Sequence, residues 1–144
     1  MQCAGMMPGT GFTPAHIPQL RGVATVKPHK VRITVLRNSF NQEFVDAYAE
    51  DYKGQPWKPC GLLHEGQEFI SDGWMPEGFC SHAWTDILRY VLVLARGGNF
   101  LGVKPGMFVT CCTDGFRPVF LKVERIDEAG ETAAEAIKDG EAEE

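Results

Sequence analysis

Four cysteines stand where chemistry is possible: Cys60 in a Gly- and Pro-punctuated segment, Cys80 just ahead of an apolar helix, and Cys111 and Cys112 side by side in a β-rich run. Thiols are soft ligands for zinc and iron–sulfur centres, and as thiolates they are nucleophiles. The spacing is not that of a zinc finger, which presents two close cysteine pairs, nor the tight cysteine run of a bacterial ferredoxin. If Cys60, Cys80, Cys111 and Cys112 hold a metal, the fold must bring them together. Neighbours in a regular strand point to opposite faces, so Cys111 and Cys112 reach one ion only through a bulge. The competing reading is packing, because free cysteine is often buried as a small hydrophobe.

Cys80 is the strongest nucleophile candidate. A helix start offers free N–H groups and a partial positive charge, and both favour an anion. His82 follows as a ligand, a base or an exposed first-turn residue. His82, Asp86 and Arg89 fall at i, i+4 and i+7, a narrow polar stripe on an apolar helix. An Asp–Arg pair three apart stabilises a helix modestly. The stripe is either a solvated edge or the wall of a polar pocket. Arg117 completes the candidate group, since a two-residue turn at Asp114-Gly115 would set it opposite Cys112 and favour the thiolate there.

These residues need a scaffold. Between Cys80 and Gly97, Trp84, Ile87, Leu88, Val91, Leu92, Leu94 and Ala95 cover most of a helix, which predicts a buried one. Ser81 is the expected N-cap and Gly97-Gly98 the expected stop. Val31, Ile33 and Val35 alternate with Arg32, Thr34 and Leu36, the period of a half-buried strand over 30–37. Asn38, Ser39 and Asn41 can cap a short helix that sets Phe44, Ala47 and Tyr48 on one face. Glu65 to Ser71 reads as a short strand. Met107 to Thr113 and Phe116 to Arg125 read as a hairpin turning on Asp114-Gly115. Pro118 cannot donate to a ladder. The order is strand, helix, strand, helix, hairpin. It predicts an α+β fold with a small mixed or mainly antiparallel sheet packed on one buried helix.

One compact domain over 30–126 is expected, between a Gly- and Pro-rich extension at 1–29 and an acidic tail at 127–144. The tail holds eight acids and one lysine, a net of −7, so the remainder carries +2 of the total −5. The body lacks the basic field that recruits nucleic acid. No apolar run has the length of a membrane span, and the N-terminus lacks a signal-peptide pattern. A cytoplasmic protein with reduced cysteines is the expectation. Both hairpin faces carry apolar residues, Phe108, Val119, Leu121 and Val123 on one and Val109 and Phe120 on the other. The second face calls for another layer or another subunit, so a homo-oligomer is expected. There is no Gly-rich phosphate loop after a strand, no Gly-X-Ser-X-Gly elbow and no His-Glu-X-X-His.

Several segments stand in a familiar order: Lys30-Val-Arg-Ile-Thr-Val-Leu, Glu65-Gly-Gln-Glu-Phe, Pro76-Glu-Gly-Phe-Cys80, Ala83-Trp84 with Asp86-Ile87, and Cys111-Cys-Thr-Asp-Gly-X-Arg-Pro-Val119. Over about residues 30–126 the chain resembles an uncharacterised family of short cysteine-containing proteins from anaerobic bacteria and archaea. Members typically lack the N-terminal extension and acidic tail. The resemblance implies one compact domain and a reducing setting, and brings no activity with it. Three functional readings follow from the residues. The first is an accessory or binding protein whose cysteines hold zinc or an iron–sulfur centre. The second is an enzyme, or the small subunit of one, with a reactive thiolate at Cys80 or Cys112. The third is an interaction module with core cysteines.

Overall fold

Alternation in the first strand decides the architecture. In the computed structural model, which describes residues 27–51, 54–126 and 132, β1 (Lys30–Asn38) buries Val31, Ile33 and Val35 on one face. Leu36 follows on the outer face and is exposed, and a bulge between Val35 and Arg37 skips it in the pairing with the neighbouring strand. β1 pairs antiparallel with β2 (Glu68–Ser71) on one side and with β4 (Val119–Ile126) on the other. β3 (Met107–Cys111) adds to β4, giving one open antiparallel sheet of order β2-β1-β4-β3. With helices α1 (Gln42–Tyr48) and α2 (Ser81–Ala95), this is an α+β fold.

The core lies between α2 and one sheet face. Ala83, Ile87, Val91, Leu94 and Ala95 recur at helical spacing and are buried against Val31, Ile33, Val35, Leu121 and Val123. The helix is not enclosed all round, as its composition suggested: Leu92 and Val93 are 42% and 38% exposed. A single helix laid on a sheet can bury only one stripe. At its C-terminus Gly97 takes φ +82°, its N–H donates to Leu94, and the N–H of Gly98 donates to Val93. This glycine cap satisfies carbonyls the helix leaves open. The His29 N–H takes the Ala95 carbonyl at 2.8 Å, which draws the end of the expected N-terminal extension onto the domain. The expected short helix α1 is present but buries no residue.

The opposite sheet face is polar at its centre. The Glu124 carboxylate is buried between Arg32 and Lys122, each at 2.9 Å. Arg37 lies over the Phe120 ring at 4.9 Å. Val109, on the same face as Phe120, remains 45% exposed. Residues 1–26 and most of the acidic tail lie outside the described residues. Thr132, within that tail, bridges Ile126 and is buried. No helix among the described residues is long and apolar enough to cross a membrane.

Candidate functional site

Cys80 is positioned by the start of α2. It is the N-cap itself, at φ −69° and ψ 122°, where Ser81 was expected. The reason is the residue before it. Phe79 is buried, and its ring meets Phe69 at 4.9 Å and Trp84 at 6.3 Å. That is a hydrophobic staple from the residue preceding the cap to the fourth helical residue, and it sets where the chain enters the helix. The Cys80 side chain makes no capping hydrogen bond.

Cys60 is held from a distance. The Asn38 side-chain amide donates to the carbonyls of Cys60 at 3.0 Å and Leu63 at 2.6 Å, while its backbone N–H donates to the Glu65 carboxylate. Leu63, fully buried, plugs the loop into the core. Asn38 was read from the sequence as a potential helix cap. Its role here carried no sequence signal, because the partners lie beyond the next helix.

Cys112 arrives by a register different from the expected one. Cys111 pairs with Phe120, and the Cys112 N–H donates to the Val119 carbonyl. Cys112 therefore faces Val119 rather than Arg117, and Cys111 faces Phe120 rather than Pro118. The Val119 N–H in turn donates to the Cys112 sulfur at 3.3 Å. Residues 113–118 make a wider loop in place of a two-residue turn. Its cause is Asp114, whose carboxylate accepts the backbone N–H groups of Phe116 and Arg117 and the Arg117 side chain. Asn41 clamps the loop from outside, donating through its side chain to Gly115 and through its backbone to Phe116. Partial burial alone would raise the Asp114 carboxyl. The Arg117 hydrogen bonds, the Phe116 N–H and the Arg117 charge outweigh it and hold the group below the usual carboxylate range.

These elements converge on a cavity of about 300 Å³, lined by Cys60, Cys80 and Cys112 among others. His82, exposed, and Asp86, half-buried, border it on the polar side, so that part of the helix stripe is at once solvated and pocket-lining. Arg89 lies apart, over the neighbouring Tyr90 ring at 4.8 Å and bonded to its hydroxyl. Asp86 ties the wall to the hairpin loop, one carboxylate oxygen accepting the Thr113 N–H at 2.8 Å and the Thr113 hydroxyl at 3.2 Å. Arg117 reaches the cavity through the loop.

Cys111 does not line the cavity. It shares the opposite sheet face with Phe120, as the strand period requires. Burial pushes its thiol up, and the nearby Cys112 and Asp86 add to the effect. All four described cysteines are free and half-buried. Among the described residues no group of three or more His, Cys, Asp or Glu side chains is placed to hold a metal ion. The expected zinc or iron–sulfur centre on Cys60, Cys80, Cys111 and Cys112 thus finds no support in this arrangement.

Fold and site together define a small α+β domain with a thiol-lined pocket between the start of its central helix and its hairpin loop. The chain matches no protein-family model, no curated protein and no solved structure.

Proposed function

We propose that the protein is a small accessory or binding protein whose pocket receives a thiophilic ligand. Cys60, Cys80 and Cys112 present sulfur, and His82 and Asp86 supply the polar wall. One observation carries this reading: half-buried thiols from a loop, a helix start and a strand end line the same cavity. All three also pack against the hydrophobic core, but unlike Leu63 and Ile87 they are only half-buried and keep a side towards the cavity. A reducing setting, of the kind the family resemblance implies, would keep them as thiols. A soft metal ion belongs to the same ligand class, and would require the side chains to draw together.

The test is limiting iodoacetamide on protein purified anaerobically under reductant, with each cysteine followed by peptide mapping. Cys60, Cys80 and Cys112 are expected to react ahead of Cys111. Equal, slow labelling of all four would refute the pocket reading. Stoichiometric zinc or iron in the purified protein would shift the ligand to a metal centre. A catalytic reading with Cys80 as nucleophile has its own support, since the Cys80 side chain is not spent on capping. It requires Cys80 alone to alkylate far faster than free cysteine.

A further inference from the structure

A second cavity of about 490 Å³ opens beside the thiol pocket, lined by Gln55, Pro56, Trp57, Lys58 and Arg117. Arg117 lines both. Two contacts hold its side chain. The Nε donates to Asp114 at 2.9 Å, and the guanidinium lies over the Trp57 ring at 5.3 Å. The Trp57 indole is fixed in turn by its N–H bond to the Glu50 carbonyl and by contact with Phe116 at 4.9 Å. Asp114 engages Nε, and no acceptor among the described residues takes the two terminal nitrogens. The side chain remains 41% exposed. A planar donor fork left open beside a second cation suits a carboxylate. The thiol pocket carries two carboxylates, Asp86 and Asp114, whereas the second cavity is lined by Lys58 and Arg117 with no acidic side chain among its described residues. An anionic end is disfavoured in the former and favoured at Arg117 and Lys58.

Building on the thiol-pocket reading, we propose that Trp57, Lys58 and Arg117 form an anion subsite. It receives the carboxylate end of a small molecule whose soft, thiol-reactive end enters the cysteine-lined cavity. The ligand class is therefore a short carboxylate carrying a thiophilic centre close to its anionic end.

Iodoacetate and iodoacetamide make a matched pair of probes. In both, the sulfur attacks the methylene carbon, the C–S bond forms as the C–I bond breaks, iodide leaves with the electron pair and the thiol proton goes to solvent. They differ in charge at the other end. The iodoacetate-to-iodoacetamide rate ratio at the pocket thiols, divided by that for N-acetylcysteine, is expected to be about tenfold, the order of one charge-assisted hydrogen bond. Cys111, on the other sheet face, should show no preference. Arg117→Gln should abolish the preference, Arg117→Lys should retain part of it, and Lys58→Gln should reduce it with the exposed loop residue leaving the fold intact. A wild-type ratio equal to that of N-acetylcysteine overturns the anion subsite while leaving the thiol pocket standing. Slow iodoacetamide labelling at Cys60, Cys80 and Cys112 overturns the thiol pocket, and the subsite falls with it.

Discussion

Asn38→Ala removes the side chain that holds Cys60 in place. Two hydrogen bonds are lost, to the carbonyls of Cys60 and Leu63. Each contributes about 1 kcal/mol net, and more where the abandoned carbonyl stays dry. One effect opposes the loss. The Asn38 Oδ1 is buried with no partner among the described residues, so deleting it relieves about 1 kcal/mol. Two lost bonds against one removed orphan leave a net destabilisation of about 1–2 kcal/mol. With a urea slope of about 1–2 kcal/mol/M for a small domain, the midpoint should fall by about 1 M. Asn38→Asp should cost more, because an oxygen would replace the amide nitrogen opposite two carbonyl oxygens. The site readout is independent of stability: in native buffer the freed loop should expose Cys60 and speed its alkylation relative to Cys80. An unchanged midpoint together with unchanged Cys60 labelling would refute the assigned anchoring role.

Two further outcomes test the scaffold. Ile87→Ala empties the fully buried centre of the helix–sheet contact, and should cost about 2–5 kcal/mol by urea unfolding with an unchanged slope. The Asp114 carboxyl titrates lower in the folded protein than in the unfolded chain. Its contribution is therefore present above the unfolded carboxyl value and lost as pH falls through the folded one. Asp114→Asn should flatten the acid limb of a stability–pH curve. The effect is modest, because the side chain is a third exposed.

Much of the fold was legible because its signals are local. The period-two run at Val31, Ile33 and Val35 announces β1, and the apolar spacing ending at Gly97 announces α2 and its stop. Where the reading went astray, a distant partner had intervened. Asp-Gly located the hairpin loop, but Asp114 captured the following N–H groups and Asn41 clamped Gly115, so the loop widened and the Cys112 register moved. Ser81 is a good cap by type, yet the packing of Phe79 against Trp84 moved the cap to Cys80. The apolar content of α2 suggested full enclosure, whereas with one helix on one sheet face Leu92 and Val93 are left in solvent.

The sequence by itself determined that Cys111 and Cys112 part company, because the strand pleat sends successive side chains to opposite faces. Only the tertiary structure decided that Cys60, Cys80 and Cys112 line one cavity. Their segments are far apart along the chain, and they are brought to it by contacts no local pattern encodes: the Asn38 amide, the staple at Phe79 and the pairing of Cys112 with Val119.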